Sequence, residues 1–104
     1  MVGRNVHFTA APGRGEELAR LLLDVAHSLE GTAGCRLYAI SRVVDDADSI
    51  WVCELWDSQE AVDASLAALQ TGTGKARLGE VMGLLAGPPQ RTDLQPLGGV
   101  GVGD

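Results

Sequence analysis

The segment Ser49–Trp56, SIWVCELW, restricts the fold of this chain more than any other part of it. Its β-branched and aromatic content is that of a strand, yet a strand covered on one face alternates apolar with polar residues. Here Trp51, Cys53 and Leu55 fall on one side, and Ile50, Val52 and Trp56 fall on the other. Both faces therefore need cover. One layer of helices covers only one of them, so the other is expected to pack on a second copy of the same sheet, giving a homodimer. A single carboxylate, Glu54, interrupts the run between the two tryptophans.

The neighbouring elements follow from period and punctuation. Residues 35–44, CRLYAISRVV, have strand character as well, and the polar DDAD between them and Ser49 makes the two a hairpin. If 44 and 50 are opposed, Arg42 lies diagonal to Glu54 and is its expected ion-pair partner. On that pairing Cys53 sits near 40–41, and Cys35 lies several residues along the ladder, beyond the ~7 Å Cα limit for a disulfide. Both cysteines are read as free thiols of a reducing compartment, small core residues rather than nucleophiles.

NVHFTAA (5–11) reads as a first strand, stopped by Pro12-Gly13. Leu18, Leu21, Leu22, Val25 and Leu29 recur at helical spacing, and Glu16 and Glu17 suit the positive end of that helix. Asp57, with Glu60 three residues on, predicts a capping box for a second helix, on which Val62, Ser65, Leu66 and Leu69 share a face. QTGTG breaks it. Leu78, Val81, Met82 and Leu85 mark a third helix, ended by GPP (87–89), and QRTDLQPL (90–97) is the final strand. The order β-α-β-β-α-α-β is a ferredoxin-like α+β pattern with an antiparallel sheet. It predicts one domain over residues 1–97 and a flexible Gly-rich tail over 98–104.

Several function classes fall away. A net charge of −6 argues against a nucleic-acid partner, which needs a basic face. No apolar run approaches the ~20 residues that span a membrane, and MVGRNVHFTA lacks a secretory apolar core. A cytoplasmic location is expected, without membrane association. His7 and His27 have no second ligand at metal spacing, so no metal site is predicted. TGTGKA (71–76) imitates a phosphate loop but lacks its first glycine and the hydroxyl after the lysine. DDAD is too short for a calcium loop.

Four stretches, FTAAPGRGEELARLLL, GTAGCRLYAI, WVCELWDSQEAVDASL and LLAGPPQRTDLQPLGG, together resemble the antibiotic biosynthesis monooxygenase family, from about Val6 to Gly99. The most specific pieces are Gly34-Cys35 leading into Tyr38, and Glu54-Leu55-Trp56 followed by Glu60-Ala61. The resemblance implies a dimeric α+β barrel of two packed ferredoxin-like sheets, each subunit keeping a pocket between its own sheet and helices. It also implies oxidation of a hydroquinone, anthrone or other aromatic polyketide, with O₂ as co-substrate and no metal or flavin cofactor. In the family's second helix a histidine usually stands where this chain has Ser65. Haem-degrading relatives carry a tryptophan there and a haem-ligating histidine about where Lys75 stands. Asn5 matches their strand asparagine, but the other two are missing, which argues against haem degradation.

Oxygenation without a cofactor needs an apolar slot for a planar ring, a base, and one or two hydrogen-bond donors. Glu54 is the candidate base if it faces the helices, and a structural acid otherwise. Tyr38, the chain's one tyrosine, is the candidate donor to a peroxide or substrate oxygen, against a buried tyrosine satisfied by backbone. His7 is a candidate proton shuttle, because imidazoles titrate near neutral pH. Trp56 could stack on the ring, and Asn5 could donate to an oxygen anion. Ser65 and Leu66 would line the pocket from the second helix, although such a serine is ordinarily bonded back to its own helix. Two other readings stay open: a non-catalytic dimeric protein that binds a hydrophobic ligand, which Ser65 favours, and an isomerase or cyclase that needs the base but not O₂.

Overall fold

In the computed structural model, which describes residues 1–102, the chain runs β1 (Val2–Thr9), α1 (Gly15–Ser28), β2 (Cys35–Val43), β3 (Asp46–Trp56), α2 (Gln59–Leu69), α3 (Gly72–Gly83) and β4 (Gln90–Leu94). The strands form one antiparallel sheet in the order β2-β3-β1-β4. This is the ferredoxin-like α+β fold that the period changes predict. The final strand is shorter than expected, ending at Leu94. Of the expected tail over 98–104, residues 103 and 104 lie outside the described residues.

Strand alternation divides the sheet into two faces. Even-numbered residues of β1 and β3 point at the helices, and Ile50, Val52 and Trp56 are buried there. They pack with Leu18, Leu22 and Val81 in one cluster, and with Val25, Leu29 and Val62 in a second. Odd-numbered residues point the other way. Leu37, Leu55, Gly3 and Leu94 are paired in a line across all four strands. On that face Leu37, Trp51 and Leu94 are 43%, 38% and 43% exposed.

The start of α1 is fixed from a distance. Asp48, on β3, accepts the Gly13 N–H at 3.1 Å and the Gly15 N–H at 2.9 Å, serving donors that the helix cannot satisfy itself. A Cβ on Gly15 would stand 1.8 Å from the Ala47 carbonyl oxygen, so only glycine permits this approach.

Three sequence expectations need correction. The hairpin register is shifted: Arg42 opposes Ile50 and Tyr38 opposes Glu54, because β3 begins at Asp46 and takes three of the four DDAD residues into the strand. Arg42 is therefore not the partner of Glu54. The cap of α2 is Ser58, whose hydroxyl accepts the Ala61 N–H at 3.2 Å. Asp57 still belongs to the strand exit, where its N–H donates to the Gly34 carbonyl and its carboxylate pairs with Arg36. In the third helix Met82 is 53% exposed, while Leu84, just past the helix end, is buried instead. The turn after Gly83 carries Leu84 inward and leaves Leu85 bridged to Ala10.

Cys35 and Cys53 are free. Among the described residues, no helix is long and apolar enough to cross a membrane.

Candidate functional site

The observed register lines up Tyr38, Glu54 and Arg4 on three adjacent strands, since Tyr38 opposes Glu54 and Glu54 opposes Arg4. All three share the helix-facing side. Glu54 is 3% exposed, and its Oε1 accepts from Arg4 Nη2 at 2.9 Å and from Trp56 Nε1 at 3.0 Å. The guanidinium offsets a carboxylate charge that could not otherwise be withdrawn from water. Both bonds fall on Oε1, and Arg4 keeps its Nε buried without a partner.

Beside this pair, the Tyr38 hydroxyl titrates above its ordinary value of 10, first because burial disfavours the phenolate and then because the Glu54 carboxylate repels it; Arg4 opposes the shift. The phenol is thus held protonated, as a donor. Burial, and then Glu54, also push the Cys35 thiol up, which disfavours its thiolate.

Two cavities adjoin Leu29, which lines both. The first, of ≈ 330 Å³, opens between α1 and β2, with Tyr38, Ile40 and Leu23 as apolar walls and His27, Glu30, Cys35 and Arg36 among its ionisable residues. The second, of ≈ 440 Å³, lies between the end of α1 and the pair α2 and α3, lined by Ala61, Ala64, Ser65 and Ala68 together with Thr73, Gly74 and Arg77. Both fall in the size range of small-molecule sites.

The seven residues singled out from the sequence are not brought together. Tyr38 lines the first cavity and Ser65 the second. Glu54 and Trp56 lie behind Tyr38 in the core and line neither. Leu66 packs on the cluster containing Leu29 and Trp56. Asn5 and His7 sit on the opposite face of the sheet, because their odd numbers place them out of phase with Arg4 on the same strand. His7 shares a 2.5 Å hydrogen bond with Ser49 and stacks on Trp51 at 4.6 Å between ring centroids. It cannot shuttle protons to Glu54 through the sheet, and Asn5 cannot reach a ligand beside Tyr38. The expected one-pocket constellation is corrected to that extent.

Arg4 is the residue that sequence reasoning missed. Its signal was its parity with Val6 and Phe8, which made it the one cation on the inward side of the first strand. Among the described residues, no group of three or more His, Cys, Asp or Glu is placed to hold a metal ion.

With this geometry in view, the sequence profile of the family described as Antibiotic biosynthesis monooxygenase matches residues 1–72. The chain is similar in structure to a Chloroflexus aurantiacus protein named provisionally for that activity, at 28% identity and a TM-score of 0.81, covering 98% of each chain. It is also similar to a Pseudomonas aeruginosa protein (24% identity, TM-score 0.76, 93% of this chain and 94% of that one). A third likeness is to a Mycobacterium tuberculosis protein (23%, TM-score 0.79, 95% and 97%). The last two likenesses speak to the fold alone. No match was found among curated proteins.

Proposed function

The chain belongs to the antibiotic biosynthesis monooxygenase family, and we propose that it oxidises an aromatic polyketide, anthrone or hydroquinone with O₂, using its own side chains and no metal or flavin. Family membership supports a monooxygenase-like function in general; the substrate class and the cofactor-free route are our reading. The observation that carries it is the pairing of Glu54 with Tyr38, the residue that lines the cavity between α1 and β2.

In this reading the planar substrate lies in the cavity beside Tyr38. Its acidic proton passes to Glu54 by way of the Tyr38 hydroxyl, the group that lines the cavity, and the acceptor is Oε2, the oxygen that neither Arg4 nor Trp56 engages. The resulting carbanion or phenolate passes an electron to O₂, and the radical pair combines to a peroxide anion. Tyr38 protonates that peroxide and regains a proton from Glu54, and loss of water leaves the carbonyl. For an anthrone the balance is a CH₂ group plus O₂ giving a C=O group plus water. Exclusion of bulk water keeps the anion and the peroxide from side reactions. Trp56 contributes by fixing Glu54 rather than by stacking on the ring.

The same reading includes the homodimer. Leu37, Trp51 and Leu94 form a half-exposed apolar face on a sheet already covered on its other side, and a second copy of that face is its simplest cover. The two free cysteines agree with a reducing, cytoplasmic location.

A second reading, a binder without chemistry, draws on one observation: Glu54 and Trp56 reach neither cavity. Oxygen uptake with a panel of anthrones and hydroquinones separates the two. The oxygenase reading expects uptake above autoxidation, reduced about 10²-fold or more in Tyr38→Phe and Glu54→Gln with the fold intact. Gln keeps an oxygen for both Arg4 and Trp56. Uptake that never exceeds autoxidation supports the binder.

A further inference from the structure

The cavity between α1, α2 and α3 has a polar end that the proposed oxidation does not use. Ser65 is 7% exposed, lines the cavity, and has no hydrogen-bond partner for its hydroxyl among the described residues. Helix serines elsewhere in proteins commonly bond back to their own backbone, as Ser28 does here to the Val25 carbonyl at 2.6 Å. Facing Ser65 is the first turn of α3. Its cap residue, Thr71, makes no side-chain bond to the turn, because its hydroxyl donates to the Ala68 carbonyl at 3.2 Å instead. The first N–H groups of a helix have no internal acceptor and carry its positive end. Thr73 and Gly74, both in that turn, line the cavity. A Cβ on Gly74 would stand 2.8 Å from the Leu69 backbone, so glycine is what lets this turn close on the end of α2.

One turn further along α3, Arg77 lines the same cavity and spends one donor on a long, 3.4 Å contact to the Asp24 carbonyl. It is the one charged residue of the lining, and no acidic side chain opposes it there, in a chain whose net charge is −6. The remaining walls are largely alanine and leucine.

We infer that this cavity is a binding site for an apolar carboxylic acid, its hydrocarbon body against Ala61, Ala64 and Ala68 and its carboxylate between Ser65, the α3 first turn and Arg77. One guanidinium balances one negative charge, which selects a carboxylate over a doubly charged phosphate. The TGTGKA stretch, no phosphate loop by its spacing, thereby acquires a role as the backbone half of an anion cradle. The site stands whether or not the chain oxidises anything, because it needs neither O₂ nor Tyr38.

Calorimetric titration of the protein with 1-naphthoate, and with 1-naphthamide as its neutral counterpart, tests this. The acid is expected to bind tenfold or more tightly than the amide. Arg77→Gln should erase that preference, Arg77→Lys should restore part of it, and Arg20→Gln, which removes the same charge from an exposed site on α1, should leave it intact. Equal binding of acid and amide, binding of neither, or a preference that survives Arg77→Gln would overturn the assignment.

Discussion

Arg4 and Glu54, directly opposed on neighbouring strands, form a 2.9 Å ion pair almost wholly withdrawn from water, with side-chain exposures of 13% and 2%. Such a pair is worth little against an apolar replacement, but breaking it strands a buried charge. Arg4→Met or Glu54→Leu alone should therefore destabilise by about 3–5 kcal/mol, and the double substitution by much less than their sum. Urea denaturation of the four proteins measures this directly. Additive losses would mean that the pair is solvated in solution.

The junction of α1 with β3 makes a second prediction. Gly15→Ala drives a methyl group into the Ala47 carbonyl, and backbone cannot move aside as a flexible side chain can. A loss of about 1–3 kcal/mol is expected. Asp48→Ala removes the acceptor for two N–H groups and should cost about 1 kcal/mol, in line with other helix caps. Thermal or urea unfolding of each variant is the check, and Asp48→Ala should leave the sheet's far end unaffected in hydrogen exchange.

Tyr38 gives a pH prediction. Its hydroxyl titrates above the ordinary value of 10 in the folded protein. Above pH 10 the unfolded chain loses that proton while the folded chain keeps it, so the folded state binds more protons and stability falls as pH rises. Below pH 10 the contribution is fully present. Tyr38→Phe should therefore flatten the alkaline limb of a stability–pH curve by up to about 1.4 kcal/mol per pH unit, with no change of slope near neutrality. Urea midpoints measured between neutral and strongly alkaline pH test the sign.

The outward face of the sheet makes the fourth. Placing a charge at Trp51, 38% exposed in one subunit, should leave the fold intact but prevent two sheets from packing. Sedimentation equilibrium should find a dimer for the unaltered chain and a monomer for Trp51→Glu at the same micromolar concentration. A monomeric unaltered chain would remove the two-sheet reading without touching the chemistry proposed for Tyr38.

Much of the fold was legible because period carries it. The helical stripe from Leu18 to Leu29 and the apolar run from Ile50 to Trp56 each permit one secondary structure, and glycine and proline mark their ends. Register was not legible. Whether Arg42 or Tyr38 opposes Glu54 depends on how many loop residues join the ladder, and DDAD carries no signal for that choice. The candidate site suffered twice from this. Glu54 lost its expected partner, and the real one, Arg4, lies at the far end of the chain's first strand, a contact set by strand order rather than by local pattern. Parity within β1 was legible all along: Asn5 and His7 alternate with Arg4, Val6 and Phe8, so no single face could hold His7 together with the inward residues. Ser65 is buried on α2, and which cavity it meets depends on where α3 turns back, close enough for Gly74 to touch the Leu69 backbone.

The central claim is that side chains alone lead an aromatic substrate to react with O₂. The most direct test is to supply ¹⁸O₂ to the purified, chelator-treated protein with an anthrone and weigh the product. The account predicts one ¹⁸O atom in the quinone carbonyl, formed at a rate that depends on Tyr38 and is indifferent to added metal or flavin. A carbonyl oxygen drawn from water, or turnover that appears only when metal or flavin is restored, would contradict it.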